Sequence, residues 1–177
     1  QKLTFPVMKA AAAADPELQL SETGKANGVI IDRVSTCTDG NGFVYGVATD
    51  NGDSIADALQ TPAGSIQVTE NDQGQMSTGA KIKLLNDSGD VVETYYFVFF
   101  GDVNGDGLID LSDSGAIEAS DAFIEEIEPG TATYMAADVE VDGMVDLSDA
   151  GKIEAQDSFI EDLPTQRELA ALHAELL

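Results

Sequence analysis

Between residues 27 and 100, apolar residues occur in short runs that polar turn residues separate. Five of these runs have the length and composition of β-strands, at residues 29–34, 43–47, 65–69, 81–84 and 91–100. Turn sequences join the first pair and the last pair, so we expect two β-hairpins. Asp53 and Ser54 can cap a short helix that ends before Pro62. The order ββαβββ predicts a small sandwich or a sheet with one helix.

The last of these runs, residues 91–100, is apolar on both faces. One face carries Tyr95, Phe97 and Phe99, and the other carries Tyr96, Val98 and Phe100. A strand with solvent on one side needs only one apolar face. Gly101 then leads into the next segment without a Pro, Ser or Thr linker. We therefore expect the β-rich part to pack rigidly on the segment after Gly101, with a flexible hinge at this glycine as the alternative.

Beyond residue 100 the apolar spacing becomes helical. We expect two helices that pack on each other through Ala116, Ser120, Phe123, Ile124, Ile127, Ile153, Phe159, Ile160 and Leu163, with Ile117 at the edge. Ile109 and Val145, ahead of these helices, are expected to pair across a short β bridge. A capping box at Thr165 and Glu168 begins a third helix. Its leucine stripe is expected to cover the helix pair, with a partner contact as the alternative.

Each of the first two helices follows a twelve-residue acidic loop, at residues 102–113 and 138–149. Oxygen-bearing side chains stand at loop positions 1, 3, 5, 9 and 12, and position 7 can supply a backbone carbonyl. Gly107, at position 6, suits the sharp turn that a calcium loop makes there. Ca²⁺ takes six to eight oxygen ligands at about 2.3–2.6 Å. The spacing predicts two Ca²⁺ ions, held by Asp102, Asn104, Asp106, Leu108, Asp110 and Asp113, and by Asp138, Glu140, Asp142, Met144, Asp146 and Asp149.

The two loops belong to one internal duplication. Residues 102–128 and 138–164 are offset by 36 residues and share 16 of 27 positions, and the match continues past the loops into the helices. A single acidic loop could arise by chance, because Asp and Gly are common in turns. Two copies of a loop followed by a helix make the calcium prediction specific.

Paired calcium loops of this form, with Asp at position 12, one helix after each loop and none before it, resemble a type of dockerin module. The resemblance covers residues 101 to about 163. Dockerins attach secreted enzymes or scaffold proteins to cohesin modules in bacterial cellulosome-like assemblies. The resemblance therefore implies a secreted chain in a cell-surface-attached complex and a cohesin module of a scaffold protein as partner. This sequence departs from the family at Glu140, which is longer than the usual residue at position 3. It also departs at the early helix positions that often carry basic residues in the family.

The resemblance also places the residues that contact the partner. Leu111-Ser112 and Leu147-Ser148 fall where this family reads its cohesin, and the remaining expected contacts are Glu118, Ala119, Phe123, Glu154, Ala155 and Phe159. The alternative for each serine is that it caps the following helix. The duplication implies two binding orientations related by about 180°, and Glu140 and Lys152 break the symmetry between them.

We expect an α+β chain with three parts. Residues 1–26, with five alanines at 10–14, form a linker or a short helix. Residues 27–100 form a small β-rich, sandwich-like module, which resembles the X-type modules that often precede dockerins. Residues 101–177 form an all-α calcium-binding module with duplicated loop-helix repeats and an extra C-terminal helix at 165–177. The chain does not begin with Met, so we expect a processed chain or part of a larger protein.

Charge and composition limit the function classes. The net charge of −25 argues against nucleic acid and anionic membranes as partners, and no apolar stretch is long enough to span a bilayer. One His, one Cys and the absence of a zinc or phosphate-binding motif give no support for an enzyme. We expect a monomer when free. The alternatives are a calcium-stabilised adhesin or carbohydrate-binding fragment, which the absence of Trp weakens, and a calcium buffer or sensor.

Overall fold

The computed structural model describes residues 14–48 and 51–177. Seven strands occur in the described residues: β1 Gln19–Leu20, β2 Ile30–Asp32, β3 Gly42–Tyr45, β4 Leu59–Gln60, β5 Ser65–Thr69, β6 Lys81–Leu85 and β7 Val91–Val98. Six helices occur in the same residues: α1 Glu22–Asn27, α2 Gly52–Asp57, α3 Leu111–Asp121, α4 Ala132–Ala137, α5 Leu147–Asp157 and α6 Gln166–Ala174. None of the six combines the length and the apolar character that spanning a membrane requires.

The strands form a five-stranded mixed sheet, in the order β2-β3-β7-β6-β5, and a separate two-stranded sheet of β1 and β4. Both predicted hairpins are confirmed, since β2 pairs antiparallel with β3 and β6 pairs antiparallel with β7. The two hairpins meet where β3 and β7 run parallel, with Val44 opposite Phe97. The chain between these parallel strands contains α2, β4, β5 and β6.

Each face of the central sheet packs against its own layer. Val44, Tyr95 and Phe97 point to one face, where they contact Ile55 of α2 and Leu59 of β4. The neighbouring positions Phe43, Tyr45, Val98 and Phe100 point to the other face, where they contact Ala132 and Ala136 of α4 and Leu169 and Ala170 of α6. The apolar residues on both faces of β7 are thus explained by burial on both sides of the sheet.

The helices of the acidic repeats form a third cluster. Ile117 of α3 and Ile153 of α5 are fully buried against each other's helix, together with Val103, Ala137, Val139 and Ala150. Ile109, Ile127, Val145 and Leu163 pack at its edge. This cluster contains small and medium side chains, so the helix pair has little core of its own.

The predicted fold class is wrong. The molecule is a mixed α/β fold with two sheets, and its C-terminal part is not an all-α module of its own. The physical reason is that α4 and α6 cover the open face of the central sheet and share its core. The Gly101 N–H also donates to the Ala136 carbonyl at 2.8 Å, which ties the end of β7 to α4. The five-stranded sheet packs against α2 and β4 on one face and against α4 and α6 on the other, so the predicted sandwich is wrong as well.

Several local predictions also need correction. A six-residue helix, α4, ends directly before the second acidic loop, although no helix was expected there. Asn51 caps α2, ahead of the predicted Asp53 and Ser54. No strand is present at Ile109 or Val145, so the predicted β bridge is absent from the described residues. Of the predicted linker or short helix at residues 1–26, residues 1–13 lie outside the described residues, and the rest contains β1 and the start of α1.

Candidate functional site

The backbone of both acidic loops follows the same path. Position 6 is left-handed in each, with φ of 88° at Gly107 and 84° at Gly143, as the calcium-loop pattern predicts. Position 4 is left-handed too, with φ of 78° at Gly105 and 58° at Val141. A β-branched residue incurs a steric cost in this region that glycine does not. The second loop, with Val141 at position 4, therefore adopts the same backbone conformation at a higher conformational cost than the first.

The position 12 carboxylates organise the loop backbone. Asp113 Oδ1 accepts from the N–H groups of Val103 and Asn104 at 2.7 and 3.1 Å, and its Oδ2 accepts from Asp110 N–H at 2.9 Å. Asp149 repeats this pattern with Val139, Glu140 and Asp146 at 3.0, 3.1 and 3.1 Å. The same carboxylates complete capping boxes at the start of α3 and α5. Position 12 thus links the loop to its helix.

The position 1 carboxylates are buried and bind inward-facing N–H groups. Asp102 accepts from Gly105 N–H at 2.9 Å and from Gly107 N–H at 3.3 Å. Asp138 accepts from Asp142 N–H at 3.1 Å and from Gly143 N–H at 3.0 Å. These bonds draw positions 4 to 6 around the carboxylate and curl each loop about its first residue.

The remaining predicted ligands lie nearer the surface. Side-chain oxygens at positions 3, 5 and 9 of the first loop each accept an N–H two residues further on, at Asn104, Asp106 and Asp110. The second loop keeps these turns at Asp142 and Asp146. Glu140 is exposed, and Leu108 and Met144 expose their side chains at position 7.

Burial strongly disfavours the charged form of four of these carboxylates. It raises the pKa of Asp113 and of Asp149 to about 6, and it raises the pKa of Asp102 and Asp138 as well. The ion pairs of the described residues join Lys25 to Glu22, Lys81 to Asp72 and Lys152 to Glu161, so none involves these four carboxylates. A buried charge without an opposite charge beside it is costly, and a bound cation would offset that cost.

The chemistry of the donors fits Ca²⁺. Every side chain at positions 1, 3, 5, 9 and 12 presents oxygen, which is the ligand that this hard cation prefers. In the described part of the chain, however, no three His, Cys, Asp or Glu side chains converge closely enough to hold a metal ion. The carboxylates accept backbone N–H bonds instead. Coordination therefore requires the side chains of a loop to turn toward a common centre, with Asp102 and Asp113 or Asp138 and Asp149 as the buried ligands.

The predicted partner residues lie along α3 and α5. Leu111 and Leu147 are the first residues of these helices and are 57% and 54% exposed. Ser112 and Ser148 are exposed beside them, and the caps are Asp110 and Asp146, so the alternative that the serines cap the helices is wrong. Glu118 is exposed, while Ala119, Glu154 and Ala155 are half-buried.

The ends of α3 and α5 expose matching phenylalanines. The predicted packing of Phe123, Ile124, Phe159 and Ile160 in the helix-pair core is wrong, because Phe123 is 96% and Phe159 92% exposed, and the isoleucines are exposed beside them. Both phenylalanines have φ of 56°. The Ile124 N–H donates to the Ala119 carbonyl and the Phe123 N–H to the Ser120 carbonyl, at 2.8 and 3.0 Å. This is a Schellman motif, with Phe at the position that glycine usually occupies.

The C-terminal helix α6 supports the second loop. Its capping box is confirmed, with Thr165 N–H donating to Glu168 at 2.8 Å. His173 is buried, stacks on Phe100 at 4.5 Å and donates from Nε2 to the Asp138 carbonyl oxygen at 3.0 Å. The α6 residues Leu169 and Ala170 cover the sheet instead of the helix pair, so the expected role of this helix is corrected.

Sequence reasoning missed a second set of residues at the first loop. Asn71, Ser77 and Thr78, in the long connection between β5 and β6, hydrogen-bond to the Asp102 carboxylate or to the Gly105 carbonyl. These residues are 24 to 34 positions away from the loop residues that they contact, and nothing in their local sequence marks them. Beside them lies an open cavity of about 460 Å³, lined in part by Asp39, Lys81 and Tyr96.

A comparison of the chain with protein-family models, with curated proteins and with solved structures finds no match in any of the three.

Proposed function

We propose that this chain is a calcium-dependent protein–protein interaction module. It anchors its parent enzyme or scaffold protein to a cohesin module in an extracellular polysaccharide-degrading complex, and it has no catalytic role of its own. Two Ca²⁺ ions, one for each acidic loop, order the helices that contact the partner. The resemblance of the duplicated sequence to dockerins supports the identity of the partner.

The observation that carries this proposal is the pair of exposed phenylalanines at the ends of α3 and α5. Phe123 and Phe159 occupy equivalent positions in the two repeats and share the same left-handed backbone. An L-residue in this conformation costs roughly 1–2 kcal/mol relative to its favoured regions. Both rings are exposed, so neither offsets that cost by packing within the chain. A backbone cost that occurs at two exposed positions, with no packing to offset it, supports a binding role for these residues.

A protein partner fits these rings better than a small ligand. Leu111, Phe123 and Ile124 are exposed on the first repeat, and Leu147, Phe159 and Ile160 on the second. Full burial of one phenylalanine side chain contributes about 1.5–3 kcal/mol. Protein interfaces are built on a few such aromatic anchors with polar residues around them, and Ser112 and Ser148 lie next to the leucines.

The acidic loops support a requirement for calcium. Two of the four buried carboxylates begin the loops, and the other two lie in the first turns of α3 and α5. A cation that offsets their charge would stabilise the folded loops and the helix starts together. Extracellular calcium modules have dissociation constants of about 10⁻⁴–10⁻³ M, which suits the secreted location we propose.

Isothermal titration against a panel of cohesin modules, with Ca²⁺ or with a chelator, tests the proposal. We expect at least one cohesin to bind in calcium and to lose binding in chelator. The double variant Phe123→Ala and Phe159→Ala should weaken that binding by at least tenfold. Val34→Ala, at an apolar residue of the β-rich part that is also exposed, is the matched control and should bind like the unmodified chain. Equal binding with and without calcium, or no binding to any member of the panel, would contradict the proposal.

A further inference from the structure

Residues 71–79, between β5 and β6, lie against the first acidic loop. The Ser77 hydroxyl and the Thr78 N–H both donate to Asp102 Oδ2, the second of these at 3.4 Å. Asn71 Nδ2 donates to the Gly105 carbonyl oxygen at 2.7 Å. The approach is close enough that a Cβ on Gly105 would meet Asn71 Nδ2 at 2.8 Å and the Thr78 carbonyl at 2.9 Å. The conformation of the first loop therefore depends on a segment outside the repeat.

The segment itself is held firmly in place. Asn71 Oδ1 accepts from the N–H groups of Gln73 and Gln75 at 3.0 and 2.9 Å, which closes the turn. Thr78 Oγ1 donates to the Phe99 carbonyl at 3.0 Å and accepts from the Phe99 N–H at 3.1 Å. Ser77 is fully buried. Thr78, the residue after Ser77, is thus tied to Phe99, the residue after β7.

The second loop has a different neighbour. The Asp138 carboxylate accepts from Asp142 and Gly143, both in its own loop. His173 of α6, outside the loop, also contacts this residue, but its hydrogen bond goes to the backbone carbonyl and not to the carboxylate. Two loops that share 8 of 12 residues are therefore supported at different atoms of their first residue.

The hydrogen bonds of Asp102 decide which of its oxygens can face a cation. Oδ2 accepts from Ser77, Thr78 and Gly107, while Oδ1 accepts from Gly105 at 2.9 Å. A carboxylate oxygen has about two lone-pair sites, so three donors saturate Oδ2. Oδ1 keeps a lone pair for a further ligand. The donors outside the loop thus fix the rotation of this side chain.

We infer that Ser77, assisted by Thr78, is a positioning residue for calcium at the first loop. The inference rests on the calcium binding of the proposed function. Ser77 holds Asp102 Oδ2, so that Oδ1 points toward the ion without a search over rotamers. Removing a residue that hydrogen-bonds to a metal ligand but does not itself contact the metal typically lowers metal affinity about 10- to 100-fold. The first site depends on this hydrogen bond from the β-rich part, whereas the Asp138 carboxylate accepts its bonds from N–H groups of its own loop.

A competitive calcium titration of the full chain, followed by ¹⁵N NMR, tests this. The amide resonances of Gly107 and Gly143 report the first and second loop separately, against a chelator of known affinity. We expect Ser77→Ala to lower calcium affinity about 10- to 100-fold at Gly107 and to leave Gly143 unchanged. Ser88→Ala, in an exposed turn, should change neither. In thermal melts, Ser77→Ala should lower Tm more in calcium than in chelator, whereas a purely structural role would lower both equally.

The outcomes separate this inference from the proposed function. If Ser77→Ala leaves calcium binding unchanged at both Gly107 and Gly143, the role of Ser77 is overturned and the proposed function stands. An unmodified chain that binds no calcium overturns both. If Ser77→Ala does not fold, Asn71→Ala decides the question, because it removes the bond to the Gly105 carbonyl. Asn71→Ala is expected to weaken only the first site, and an affinity at the first site equal to that of the unmodified chain would overturn the inference.

Discussion

Replacing Phe123 and Phe159 with glycine should make the protein more stable and make it a weaker binder. Both residues occupy the position after a helix where glycine is favoured, with φ of 56°. Glycine removes the steric cost of the left-handed backbone, roughly 1–2 kcal/mol at each site. It also raises the conformational entropy of the unfolded chain, which destabilises the fold by about 0.4–1 kcal/mol. The lost packing is small, because the rings are 96% and 92% exposed. The net gain is about 0.5–1 kcal/mol per site.

Thermal or urea unfolding in calcium measures this gain. For a chain of this length, 1 kcal/mol corresponds to about 2–4 °C in Tm, so the double glycine variant should melt about 2–8 °C higher. The double alanine variant is the matched control, because it removes the same rings but keeps a Cβ in the left-handed region. It should not be stabilised. Partner binding should fall by at least tenfold in both variants.

Equal stability of the glycine and alanine variants would refute the reasoning about backbone cost. A glycine variant that is less stable than the unmodified chain would show that the rings pack within the molecule. Unchanged partner binding would remove the rings from the interface.

Three further predictions concern the loops. A chelator should lower Tm sharply, and Asp102→Ala or Asp138→Ala should produce about half of that effect, which calorimetry in calcium and in chelator can measure. In chelator, stability should fall as pH rises from about 4 to 6, by roughly 2–3 kcal/mol for each position 12 carboxyl, because the folded pKa of about 6 lies above the usual 3.8. Below both pKa values the carboxyls are protonated in the folded and unfolded states, so this contribution no longer changes with pH. Urea titrations at several pH values measure the effect, and Asp113→Asn should reduce the dependence of the unfolding free energy on pH. Gly105→Ala should destabilise by at least about 1 kcal/mol, given its left-handed φ and the backbone 2.9 Å away, whereas Gly115→Ala, in open space within α3, should stabilise by about 0.5–1 kcal/mol in the same melts.

The local pattern of the chain predicts much of its secondary structure. Alternation and turn residues locate both hairpins, and the acidic spacing predicts the left-handed glycine at Gly107. The capping box at Thr165 and Glu168 correctly begins α6. These features depend on residues a few positions apart, which is the range over which sequence patterns carry information.

The arrangement of these elements could not be predicted in the same way. The parallel pairing of β3 and β7 joins residues about fifty positions apart, and it brings α4 and α6 onto the sheet. Helical spacing placed Phe123 in a core, but α3 ends at Asp121, and the reversal after it turns the ring outward. Ser77 carries no signal in its own segment, since its contact with Asp102 exists only after the sheet has formed.

Native mass spectrometry in calcium tests the central claim most directly, because it counts the ions bound to each folded chain. We expect two Ca²⁺ ions on the unmodified protein, one on Asp102→Ala or Asp138→Ala, and none when both are replaced. A folded chain that carries no calcium at millimolar concentration, or one that keeps both ions in the double variant, would contradict the claim.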